Sequence, residues 1–199
     1  MKVAIILKAP EINFLVEEEL VIYADAGYKF ADKIGKKNVL GVVGDFDSLG
    51  SAPKREKIIS LDIEKNFTDG ERAVRYAKEC GADEIVIYGA YGGKIEHVLG
   101  NIALLKIAMD IGLKGTIKDG NITTELISGK TSICAKKGST LSLIPYGGDC
   151  KFNYSEGVYY PLKSLTLTCS DTRGISNVVT EDTVTFDIES GCSLVIYEK

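Results

Sequence analysis

The chain has 199 residues, 45% hydrophobic and 26% charged, with a formal net charge of -4 and a pI of about 5.2. That is room for one or two globular domains, and the absence of any long Lys/Arg run argues against a nucleic-acid partner. The five cysteines are scattered without a CxxC pair and His97 is the only histidine, which argues against a zinc site or a disulfide framework and suits reduced thiols in the cytoplasm.

In chain order, the first apolar run is Lys2–Leu7. It stops at Lys8, too short for the core of a signal peptide, and no later stretch is long enough to span a membrane. Candidate strands follow at Glu19–Ala24, Val39–Val43, Lys57–Leu61 and Glu84–Tyr88. Candidate helices are Tyr28–Ile34, Asp69–Cys80 and Ile95–Ile111. The last carries Ile95, Val98, Ile102, Leu105 and Met109 at helical spacing. Near-continuous apolar strands alternating with helices predict an N-terminal Rossmann-like parallel sheet with helices on both faces. The character changes after about Lys114, where β-branched and aromatic residues mix with Ser, Thr and Gly. Short strands are expected at Thr123–Ile127, Thr131–Ala135, Thr140–Ile144, Ser164–Thr168, Thr183–Ile188 and Ser193–Tyr197. Turn signals such as Ser128-Gly129-Lys130 and Gly147-Gly148-Asp149 separate them, the pattern of an antiparallel β-sandwich or barrel-like domain. The chain thus reads as α/β over 1–120 followed by all-β over 121–199, with no Pro/Ser-rich linker between them.

In an open parallel sheet, ligands bind beyond the carboxyl ends of the strands. Asp25 follows the second strand. Asp45 and Asp47, in "GDFDSLGS", follow the third and point the same way if the chain is extended. Lys65, Thr68 and Asp69 come after the fourth, and Gly92, Gly93, Lys94, Glu96 and His97 after the fifth. Carboxylates gathered in a partly dry cleft repel one another unless a cation joins them. Oxygen ligands without Cys or His suit Mg²⁺ or Ca²⁺. "GAYGGK", Gly89 to Lys94, opens a helix whose free N–H groups suit a phosphate. Each piece also has a simpler reading. Asp-x-Asp and paired glycines are common in turns, "TDGE" (68–71) is a capping box, and a lone histidine at a helix start is often structural. The placement of all four clusters at strand ends favours one shared site.

Taken together, these stretches resemble the thiamin pyrophosphokinase family over nearly the whole chain. "ADAG" (24–27), "GDFDS" (44–48), "EKNFTD" (64–69) and "GGKIEHVLGNIALL" (92–105) match the family's ordered motifs. "EGVYYPL" (156–162), "GISN" (174–177) and the closing "GCSLVIYEK" match those of its β domain. Lys94 stands where the family usually has Arg, Glu96 where Asp is usual, and Asn66 where an acidic residue is common. Lys keeps the charge but loses the bidentate fork.

The resemblance implies transfer of pyrophosphate from ATP, the co-substrate, to the hydroxyl of thiamin, giving thiamin diphosphate and AMP. It implies a catalytic α/β domain binding nucleotide and Mg²⁺, and a thiamin-binding β domain. Asp45, Asp47 and Asp69 would hold Mg²⁺, and Asp25 or Glu96 would meet the reacting hydroxyl. Lys65, Thr68, Gly92, Lys94 and His97 would contact the nucleotide, and Ser176 and Asn177 the vitamin. The family's homodimeric assembly, with sites shared between subunits, is implied as well. Two alternatives stay open: a Mg²⁺-dependent phosphatase with Asp45 as nucleophile, and a non-catalytic thiamin or nucleotide sensor.

Overall fold

The computed structural model describes residues 1–11, 15–44, 57–59 and 67–199. It divides into two units, Met1–Gly120 and Asn121–Lys199.

In the first unit the strands are β1 (Lys2–Ile6), β2 (Leu20–Ala24), β3 (Asn38–Val43), β4 (Ile58–Ile59), β5 (Glu84–Tyr88) and β6 (Lys114–Asp119). They pair in parallel in the order β6-β5-β1-β2-β3-β4. The chain starts in the middle and winds outward on both sides, so the order reverses beside β1. That is where such sheets open a crevice for ligands. The sheet is buried on both faces, which explains the unbroken apolar strands. Ala4, Ile6, Val21, Tyr23, Val42, Val86 and Tyr88 form one core face, covered by Val16, Tyr28, Phe30 and Ile34. On the other lie α2 (Asp69–Glu79) and α3 (Ile95–Asp110), with Ala73, Val74, Ala77, Leu104, Leu105 and Ala108 buried.

Two elements differ from the sequence reading. The expected helix Tyr28–Ile34 is a 3-10 helix over Asp25–Phe30 that passes into a single α turn, α1 (Ala31–Ile34). It starts early because the chain must turn at once beyond β2 to pack Tyr28 edge-on against Tyr23, 5.3 Å between ring centres. Strand β6 was not expected. Its sequence, KGTIKD, has only Ile117 fully buried, so it lacks the apolar signature of its neighbours.

A buried carboxylate is tied into this core. Glu18 accepts from the Tyr88 hydroxyl at 2.9 Å and pairs with Lys2 at 3.5 Å. Burial first, and then the Glu18 charge, push the Tyr88 phenol well above its ordinary pKa, so it remains a donor. Removing the donor leaves the carboxylate short of a partner in a dry setting. Tyr88→Phe is therefore expected to lose about 2 kcal/mol of stability. Urea denaturation checks this, and an unchanged midpoint would show that Lys2 suffices.

In the second unit the strands are β7 (Ile122–Ile127), β8 (Lys130–Cys134), β9 (Thr140–Pro145), β10 (Cys150–Glu156), β11 (Leu165–Leu167), β12 (Asn177–Val178), β13 (Thr183–Ser190) and β14 (Ser193–Glu198). All pair antiparallel, in the orders β12-β9-β14-β7 and β11-β10-β13-β8. Leu141, Leu143, Val195 and Tyr197 from the first set meet Phe152, Val184, Phe186 and Ile188 from the second in one core. This is the expected sandwich. Strands β10 and β12 are additions to the sequence reading. No helix among the described residues is long and apolar enough to cross a membrane.

Candidate functional site

A cleft of about 640 Å³ opens at the carboxyl end of the parallel sheet. Leu7 to Pro10 come to it from β1, Ala24 and Asp25 from β2, Phe67 to Gly70 from the start of α2, and Gly92 to Lys94 from the loop after β5. The first turns of α3 add Glu96, His97, Gly100 and Asn101. Asp25, Thr68, Asp69, Gly92, Lys94, Glu96 and His97, named from sequence, therefore share one cavity. Asp45, Asp47 and Lys65 lie outside the described residues. Sequence reading missed Lys8 and Asn101. Lys8 follows a strand end as the others do. Asn101 lies seven positions after Lys94, on the same side of a helix.

Asp25 carries the strongest local signal. Its φ of 42° lies in the left-handed region that non-glycine residues avoid. Its Oδ1 is buried and meets no hydrogen-bond donor among the described residues. A buried anionic oxygen of this kind needs a cation or a ligand donor, so the donor set fits a hard metal ion such as Mg²⁺. Among the described residues no three acidic, His or Cys side chains converge as a complete metal cage.

The two helix starts are built differently. Thr68 caps α2, its Oγ1 accepting from the Glu71 N–H at 3.2 Å. The hydroxyl keeps its own proton to donate elsewhere. The expected capping box is only half made, because the Glu71 carboxylate turns to Arg75 at 2.8 Å. At α3 the cap position is Lys94, whose side chain makes no capping bond. The His97 N–H turns back to the Lys94 carbonyl at 3.1 Å, and the N–H groups of Ile95 and Glu96 are left for a ligand. In the loop before it, Gly92 and Gly93 have φ of 87° and 77°, conformations that glycine adopts without strain.

In the second unit, Ser176 also holds a left-handed φ, 61°, fixed by its N–H donating to Ser142 Oγ at 3.0 Å. The Ser176 hydroxyl makes no bond among the described residues. Asn177 behaves otherwise. It is buried, its Oδ1 accepts from the Tyr160 and Val178 N–H groups, each at 2.9 Å, and its Nδ2 donates to the Tyr160 carbonyl at 2.7 Å. Its amide is used in holding Tyr160. That residue and Tyr159 stack edge-to-face, 4.9 Å apart, and stay largely exposed.

Comparisons with known proteins agree across both units. Residues 13–115 match the family "Thiamin pyrophosphokinase, catalytic domain" and residues 128–193 match "Thiamin pyrophosphokinase, vitamin B1 binding domain". The chain is 30% identical over 161 residues to thiamine pyrophosphokinase of Bacillus subtilis (strain 168), covering 77% of this chain and 75% of that protein. The crystal structure of the Bacillus subtilis thiamine pyrophosphokinase superposes with a TM-score of 0.85 at 24% identity, over 100% of this chain and 99% of that one. Thiamin pyrophosphokinase from Candida albicans superposes at 0.74 and 17% identity, over 100% and 90%. The chain belongs to the thiamin pyrophosphokinase family, a family of enzymes.

Proposed function

We propose that the protein transfers the pyrophosphoryl group of ATP to the hydroxyl of thiamin, giving thiamin diphosphate and AMP, with Mg²⁺ as cofactor. The observation that carries this reading is the cleft of the first unit, where the strained, orphaned carboxylate of Asp25 lies with Asp69, Glu96, two lysines and an uncapped helix start. Asp69, with Asp45 and Asp47, would hold Mg²⁺, and the bare oxygen of Asp25 is available to the ion or to the thiamin hydroxyl. When bound, the ion neutralises phosphate charge and polarises the phosphoryl group under attack.

The chain's own residues then position and discharge the reactants. Lys8, Lys94 and Lys65 offset phosphate charge. The Thr68 hydroxyl donates to a phosphate oxygen, and Gly92 lets the backbone approach the phosphates closely. His97, in the first turn of α3, borders the nucleotide. The hydroxyl oxygen of thiamin bonds to the β-phosphorus as the bond from that phosphorus to the bridging oxygen breaks. The hydroxyl proton passes to Glu96 or Asp25, and AMP leaves with the electron pair. In the second unit the Ser176 hydroxyl and the exposed Tyr159–Tyr160 pair suit a cationic, hydrogen-bonding vitamin. There Asn177 contributes by fixing Tyr160. The free thiols suit a cytoplasmic enzyme, which subcellular fractionation would confirm or refute. Release of AMP from Mg²⁺-ATP only when thiamin is added tests the function. Thiamin-independent release of phosphate would support the phosphatase reading, and binding without turnover the sensor.

The assembly we propose is a homodimer with shared sites. Ile95 and Leu99 on α3, and Tyr159, Tyr160 and Ile175 in the second unit, leave large apolar surfaces exposed, as a self-associating chain would. Mixing an inactive Asp25→Asn protein with an inactive Ser176→Trp protein is expected to restore activity, because a mixed dimer has one site with both halves intact. No recovery after confirmed subunit exchange would rule out the shared site.

A further inference from the structure

We infer that Asn101 is the positioning residue for the Gly89–Lys94 turn and, through it, for the phosphates of the nucleotide; the inference rests on the function proposed above. Asparagine is a poor helix former, yet Asn101 sits in the second turn of α3 and lines the cleft. Its Nδ2 donates to the carbonyl of Ala90 at 2.9 Å. Ala90 is 1% exposed, so its carbonyl has little access to water and depends on a protein donor.

The same turn is pressed from its other side by the loop after β1. A Cβ placed on Gly89 would stand 2.7 Å from the Leu7 carbonyl oxygen, and one on Gly92 3.0 Å from Pro10 Cδ. The turn is therefore gripped between that loop and α3, and Asn101 supplies the side-chain link to the helix. The link ties residue 90 to residue 101 across the start of α3 and sets where the free N–H groups after Lys94 point. The nucleotide phosphates would meet those groups. Removing the link frees this glycine-rich segment on the side of α3. A small displacement of phosphate-binding groups has a large effect on the geometry of attack.

The test compares wild type with Asn101→Ala and with Asn101→Asp, which keeps the shape but cannot donate when ionised. Three quantities are read: KM for each substrate, the melting temperature, and the equilibrium Kd for a non-hydrolysable ATP analogue with Mg²⁺. Both variants are expected to raise KM for ATP and the analogue's Kd about tenfold, with KM for thiamin changed less than about twofold. Melting temperatures should stay within a few degrees of wild type. Unchanged nucleotide affinity would overturn the inference. So would equal losses for both substrates accompanied by a large fall in melting temperature, the mark of a merely structural residue. If wild type forms no AMP, the functional reading fails by itself. The analogue's Kd in the variants then decides the inference, and a wild type that does not bind the analogue overturns both.

Discussion

Asp25→Asn is expected to lower kcat/KM on the order of a hundredfold or more, the scale of removing a preorganised charge from a reacting centre. The same change is expected to leave the protein at least as stable as before. Asp25 bears two local costs. It holds a left-handed backbone conformation, and it buries a carboxylate oxygen with no donor among the described residues. Asparagine tolerates the left-handed region and removes the buried charge, so the ligand-free protein should gain up to about 1 kcal/mol. Opposite movements of activity and stability distinguish a functional carboxylate from a structural one. Kinetics and a urea melt on one variant read both. Near-normal turnover, or a clear loss of stability, would remove Asp25 from the site.

Gly27→Ala is expected to disturb the fold directly. A Cβ at Gly27 would stand 2.1 Å from the carbonyl oxygen of Ile6 and 2.9 Å from its carbon. These atoms belong to the central strand β1, fixed by parallel pairing on both sides, so relief would require moving the sheet or the turn that carries Asp25. Overpacking against rigid backbone is expected to cost about 3 kcal/mol, with a loss of activity because Asp25 moves too. Equilibrium denaturation checks the first and kinetics the second. A loss below about 0.5 kcal/mol, the size of an ordinary surface change, would mean that the 3-10 turn yields easily.

Much of this was legible in the sequence because it follows from periodicity and position. The buried runs Val21–Ala24 and Ile85–Tyr88 allow few environments other than a sheet covered on both faces. Once that sheet is drawn, Asp25, Asp69 and Lys94 must gather at one end of it. What stayed hidden depends on tertiary context. Lys114–Asp119 is a strand because β5 offers it a partner, not because KGTIKD favours one. Cys150–Glu156 alternates, with Cys150 and Phe152 buried, but Lys151, Asn153 and Glu156 dilute the signal. Asn177 reads as a ligand-binding amide until Tyr160 is seen to occupy it. Asn101 reads as one residue of a helix until Ala90 is seen folded back against it. The strain at Asp25 has no sequence signature at all. It is a backbone property of the turn between β2 and the residues that pack on it.

The most direct measurement supplies ATP labelled in its γ-phosphate, with Mg²⁺ and thiamin, and follows the label and the adenine nucleotide together. Transfer of the β- and γ-phosphates as one unit places the label on the terminal phosphate of thiamin diphosphate. AMP then appears in equal amount, with neither ADP nor thiamin monophosphate on the way. Labelled thiamin monophosphate with ADP, or label released as free phosphate without any thiamin product, would contradict the pyrophosphoryl transfer proposed for this site.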